Sequence, residues 1–167
     1  MSTLWQELCD ALAEEVDRQE TVFAVCQAQQ QALILHDPAR VQSTSESLET
    51  LTKEAREAEH RRNAVTARIV QAYGLAVDKP VLSELAAAAP EPWKSRIYFY
   101  QHRLLTVLKD VRALLRDNEL RAKRSAQVVR RYLSLIQPAG ISDGRYDRRG
   151  AVTVFRGLMP ALLDARG

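Results

Sequence analysis

Aromatic residues make up only 6% of this sequence, glycine and proline occur six times each in 167 residues, and cysteine occurs twice. So few aromatics argue against a thick globular core. So few glycines and prolines exclude fibrous and low-complexity chains and leave room for long uninterrupted helices. A hydrophobic content of 46% excludes general disorder, and the length suits one ordinary domain. No apolar run approaches the roughly 20 residues that would span a bilayer. The amino terminus, MSTLWQELCDALAEE, carries acids among its leucines, which excludes a signal-peptide core and predicts a cytoplasmic chain. Cys9 and Cys26 fall on one predicted helix about 25 Å apart, far beyond disulfide reach, and read as reduced core thiols.

Signatures of chemistry are missing as well. His36, His60 and His102 lie on different predicted elements, with no HExxH, CxxC or other ligand spacing around them. There is no glycine-rich phosphate loop and no GxSxG elbow. The sequence therefore predicts no catalytic residues, no metal, no cofactor and no small-molecule substrate. The chain reads as a non-enzyme.

What is abundant is Ala, Glu, Gln, Arg and Leu in helical order. Trp5, Cys9, Leu12, Val16, Gln19, Phe23, Cys26, Gln30 and Leu33 recur at alternating intervals of four and three, one face of a supercoiled helix predicted over residues 3–36. The stretch QQQALILHDPARVQ then stops it, because Asp37 can accept hydrogen bonds from free amides and Pro38 suits a first helical position. Val41, Leu48, Leu51, Ala55, Ala58, Arg62, Val65, Ile69 and Ala72 continue the spacing through a second helix, 38–74, with Gly74 as its left-handed stop. Two helices of about 50 Å joined by so short a connection must lie antiparallel. A short helix is predicted over 80–89. A third long one, 92–137, carries Ile97, Tyr100, Leu104, Leu108, Val111, Leu115, Asn118, Ala122, Ser125, Val129, Tyr132 and Ile136 on one stripe. The expected fold class is all-α: a long antiparallel helical hairpin with a third long helix, an elongated coiled-coil-like bundle. One domain is expected over residues 1–137, with a loop and tail over 138–167.

Charge divides the chain. Residues 1–90 hold eight basic and fourteen acidic groups, and residues 91–167 hold sixteen and seven. The segments RDNELRAKRSAQVVRR and RYDRRG could face nucleic-acid phosphates, but their cations do not line one strip and no aromatics interleave among them. A solvated basic face is the preferred reading and nucleic-acid binding the minor one. The third helix also has apolar groups off its stripe, at Phe99, Leu105, Val107, Leu114, Leu133 and Leu135, more than one partner stripe can cover. This surplus points to a groove for another amphipathic helix. The tail's Val152, Val154, Phe155, Leu158, Met159, Leu162 and Leu163 read as a segment that something covers, either this groove or the hairpin.

Several of these segments, taken in order, resemble the FlgN family of flagellar export chaperones. QQQALILHD matches the family's glutamine-rich first helix and acid-containing break. ESLETLTKEAREAEHRR matches its second helix, which ends in arginines. Asn118, the segment YLSLIQP, and Tyr146 with Gly150 match an Asn-bearing helix, a leucine-rich helix end and a tyrosine loop. The resemblance covers about residues 4–150. It implies an all-α, non-enzymatic cytoplasmic chaperone that holds hook-filament junction subunits of the FlgK and FlgL type unassembled and presents them to the type III export gate. The client site is expected on the last long helix, at Leu104, Leu108, Val111, Leu115, Asn118, Val128 and Tyr132. Docking on the gate protein FlhA is expected at Tyr146 and Gly150. Homodimerisation stays open, and a structural coiled-coil adaptor is the alternative to the chaperone reading.

Overall fold

The computed structural model describes residues 2–75 and 81–136, and among these every regular element is helical. Helix α1 spans Ser2–Ile34, α2 Pro38–Tyr73, α3 Leu82–Ala88 and α4 Trp93–Ile136. The all-α expectation holds. Against the sequence-based bounds, α1 starts one residue earlier and ends two earlier, α2 and α3 each end one earlier and α4 starts one later, differences usual at helix ends; the predicted bounds at residues 80 and 137 lie outside the described residues.

The hairpin tip is Leu35–His36–Asp37. His36 takes a left-handed φ of 54°. Its N–H donates to the Leu33 carbonyl at 3.4 Å, and that of Asp37 to the Ala32 carbonyl at 2.9 Å. This pair of bonds satisfies the last carbonyls of α1 in the manner of a Schellman cap. Asp37 then caps α2: its Oδ1 accepts from the Arg40 amide at 3.0 Å, and Pro38 fills the first helical turn. Gly74 closes α2 at φ 62°, a conformation that glycine adopts without the steric cost of a Cβ.

Cross-helix bonds fix directions. Glu7 pairs with Arg68, Glu14 with Arg61, Glu15 with Arg62, and Arg18 with Glu54, so α1 and α2 run antiparallel. Against α4 the register ascends: Arg96 donates to Gln6, Arg103 pairs with Glu20, and Gln30 donates to Asp117. Helix α4 is therefore parallel to α1: α2 has already brought the chain back to the starting end, where α3 packs and from which α4 sets out. Helix α1 is the central element. It needs two buried seams, and beside the predicted one it buries Leu8, Glu15, Val22 and Gln29 at heptad intervals. Glu15 and Gln29 of this second seam bond to α2. The predicted stripe of α2 holds except at its end, where Ala72 is exposed and the Tyr73 ring instead lies 5.1 Å from that of Trp5.

Two apolar clusters fill the bundle. At the crossover end Trp5, Leu8, Cys9 and Leu12 meet Ile69, Leu85, Ala86, Ala89 and Ile97. Nearer the tip Val16, Val22 and Cys26 meet Leu48, Leu104, Val107 and Val111. Full burial of each large aliphatic side chain contributes about 1.5–3 kcal/mol, so these clusters dominate the stability of the bundle. The two thiols are buried and unpaired, as the sequence implied.

Candidate functional site at the projecting end of α4

Helix α4 outruns its partner. Asp117 and Asn118 lie level with Gln29 and Gln30, and α1 ends four residues later at Ile34. The last 15 residues of α4, from Ala122, thus project past the hairpin tip by about 22 Å. Every residue from Gln127 to Leu135 is exposed.

The sequence of this overhang does not suit exposure. At 100° per residue, Ser125, Val129 and Tyr132 continue the same face that Leu104, Val111 and Asn118 bury lower down, and Val128, Leu133 and Leu135 widen it. Val128 is 68% exposed, Tyr132 64% and Leu135 78%. The opposite face carries Lys123, Arg124, Arg130 and Arg131. Arg121 is bound to Asp117 at 2.7 Å and Lys123 to Glu119 at 2.6 Å, whereas Arg124, Arg130 and Arg131 form no salt bridge among the described residues. The Arg121 guanidinium, with the Gln30 amide, holds the Asp117 carboxyl below its ordinary range.

A buried polar relay marks the base of the overhang. Asn118, fully buried, donates through Nδ2 to the Cys26 carbonyl at 2.9 Å and to Gln29 Oε1 at 3.2 Å. Gln29 Nε2 donates to Ser45 Oγ at 3.0 Å, and Ser45 donates to the Val41 carbonyl at 2.8 Å. One chain of bonds thereby ties α4, α1 and α2 at a single level. Asn118 Oδ1 has no partner among the described residues.

The structure divides the residues proposed as a client surface from the sequence. Leu104, Val111 and Asn118 are buried between helices. The stripe that the sequence presents as continuous is occupied by α1 up to Asn118, so these three expected client-binding residues do not lie at the surface of the bundle. Leu108 and Leu115 are half-buried against the tip-side cluster. Val128 and Tyr132 stand in the open. Of the surplus apolar groups, Val107 is buried and Leu114 packs on the core, while Phe99, Leu105, Leu133 and Leu135 are exposed. Val129, Leu133 and Leu135 are the members of the exposed face that the proposed site left out; the three-and-four spacing already placed Val129 there. Tyr146, Gly150 and the apolar tail lie outside the described residues.

Burial pushes the Cys26 thiol up to about 12 and raises that of Cys9, the nearby Arg96 opposing the latter shift. Neither thiol is a nucleophile at neutral pH. No group of three or more His, Cys, Asp or Glu side chains able to hold a metal occurs among the described residues, and no helix described is long and apolar enough to cross a membrane.

The described residues thus form a helical hairpin with a long last helix that ends in an exposed amphipathic overhang. The family model described as FlgN protein matches residues 1–153. The chain belongs to the FlgN family, non-enzymatic chaperones of flagellar export that bind flagellar subunits. No curated protein and no solved structure matches it.

Proposed function

We propose that this protein is a cytoplasmic chaperone that holds hook-associated subunits of the FlgK and FlgL type unassembled and delivers them to the flagellar type III export gate, with the client segment seated on the overhang of α4. The observation that carries this reading is the unpartnered apolar face of the overhang, set on the same helix that the family resemblance points to. An assembly segment that is apolar on one face and unpaired before export would polymerise prematurely, and covering that face as a helix prevents it. Exposed Val128, Val129, Tyr132, Leu133 and Leu135 supply the anchor positions, with Tyr132 able to bury a large ring at small entropic cost. Leu108 and Leu115 contribute by supporting the core beneath the surface rather than by contact.

Coexpression with hook-associated subunits followed by pulldown tests this. Val129→Asp with Tyr132→Asp places two charges in the exposed face and is expected to abolish capture while leaving helicity and thermal stability unchanged, since neither side chain is buried. Capture that survives in this folded variant refutes the site. For gate docking we assign Tyr146 and Gly150 on the resemblance; Tyr146→Ala should weaken binding to a FlhA-type cytoplasmic domain and leave client affinity untouched.

A further inference from the structure

The outer side of α4 carries a second surface. Leu104, Val111 and Asn118, spaced by seven, stay buried against α1. Lys109, Arg116, Lys123 and Arg130 are spaced by seven as well, and each stands about 140–160° round the helix from that buried line. They therefore keep facing away from the bundle, with Arg112 one turn from Lys109 and Arg116, and all five are exposed. The row is about 32 Å long. The basic segments read in the sequence did not show it, because Lys109 and Arg112 lie outside both. Lys123 is met by Glu119, whereas Lys109, Arg112, Arg116 and Arg130 form no salt bridge among the described residues. Exposed apolar groups flank the row, Tyr98 and Leu105 about 40–60° to one side and Phe99 and Leu120 about as far to the other.

This pattern selects a partner. A docked helix would need a continuous apolar seam, and here a cation stands between the apolar groups at every second turn. A nucleic-acid duplex would have to admit α4 into a groove about 12 Å wide. Helix α1 lies against α4 up to Asn118, and two packed helices are about 20 Å across. A single strand would need stacking rings interleaved with the cations, but the flanking rings, Tyr98 and Phe99, stand together at the lower end, the latter under the Arg103 guanidinium. A flat anionic surface asks for none of these. It needs a straight, convex row of cations that reach headgroup phosphates, with apolar side chains beside them that enter the interface. We propose that the outer face of α4 lies on membranes bearing anionic phospholipids, with headgroup phosphates on the cation row and shallow burial of Tyr98, Phe99, Leu105 and Leu120. The contact is peripheral, since no described helix is long and apolar enough to cross a membrane. The overhang face centred on Tyr132 points the opposite way, so this surface stays free whatever is seated there.

Flotation of the full chain with unilamellar vesicles tests the proposal. The chain should bind vesicles containing about 30% phosphatidylglycerol and not pure phosphatidylcholine, and binding should weaken as salt is raised. A cation near an anionic surface contributes about fivefold, so Lys109→Gln, Arg112→Gln and Arg116→Gln together should weaken binding about a hundredfold with circular dichroism unchanged. Phe99→Ser with Leu105→Ser should cost about tenfold or more. Val129→Ser with Tyr132→Ser should bind like wild type. Equal binding to neutral vesicles, or unchanged binding in the triple glutamine variant or the Phe99→Ser, Leu105→Ser variant, overturns the proposal. So does loss of binding in the Val129→Ser, Tyr132→Ser variant, which would put the overhang in the lipid instead, or preference for RNA over vesicles at equal phosphate concentration. The triple glutamine variant should still capture hook-associated subunits; loss of capture would make the row part of the client surface and overturn its assignment to lipid. Vesicle binding without any capture by wild type would sink the functional proposal and leave this one standing.

Discussion

Replacing Asn118 by alanine tests whether the buried relay holds α4 in register. Two hydrogen bonds to Asn118 Nδ2 are lost, each with a net contribution of about 1 kcal/mol. The amide leaves a void that costs about another 1 kcal/mol. Against this, Asn118 Oδ1 is already buried without a partner, and removing it relieves about 1 kcal/mol of desolvation. The expected net loss is about 2 kcal/mol, or about 6 °C in Tm for a chain of this size. Asn118→Leu should cost less, because it refills the void and leaves only Gln29 Oε1 unmet. Asn118→Leu with Gln29→Leu should approach wild-type stability, since apolar replacement of both partners removes the penalty along with the bond. Thermal unfolding followed by circular dichroism gives these values, and spin labels at the exposed Gln27 and Gln127 report register. The double leucine variant should broaden that distance distribution while keeping its Tm, because only partly exposed polar contacts between α1 and α4 then oppose an axial slip. An Asn118→Ala protein that melts within about 1 °C of wild type would show that the relay does not hold the helices.

Three further outcomes follow from the same structure. His36→Gly should stabilise the protein by about 0.5–1 kcal/mol in denaturant unfolding, because His36 pays for a Cβ in the left-handed region; a destabilised variant would mean that the imidazole makes up for that strain. Burial raises the Glu15 carboxyl above its ordinary range despite its 2.7 Å bond to Arg62. A raised folded value means that the native state takes the proton first, so wild type should gain stability relative to Glu15→Gln as pH falls from neutral through the folded pKa. The gain should level off below the unfolded value, and parallel stability curves for the two proteins would contradict the shift. Cys26, with its thiol pushed up to about 12, and buried Cys9 should react with a disulfide reagent at pH 8 only at the rate of unfolding; rapid modification of the native protein would place a thiol at the surface.

Much of this was legible along the chain. Alternating intervals of three and four define a helix face whatever that face meets, and cap chemistry is local, so the hairpin, the Asp37–Pro38 start of α2, the Gly74 stop and the long last helix could be read directly. His36 as the left-handed residue was not legible, since nothing in its side chain demands that conformation. The second buried seam of α1, at Leu8, Glu15, Val22 and Gln29, escaped notice because Glu and Gln look like solvated positions until Arg62 and Ser45 are placed opposite them.

By itself the sequence determined which residues share a face and where each helix must stop, because both depend on neighbours within a few turns. It also determined that α4 carries more apolar surface than one partner covers. Only the tertiary structure decided which part of that surface is open. Periodicity is indifferent to translation along the axis, and a slip of one heptad presents a nearly equivalent stripe. The register is set instead by contacts between residues about ninety positions apart, Asn118 with Cys26 and Gln29, and Asp117 with Gln30. Those contacts bury Leu104, Val111 and Asn118 and carry Val128, Val129 and Tyr132 beyond the end of α1 into water.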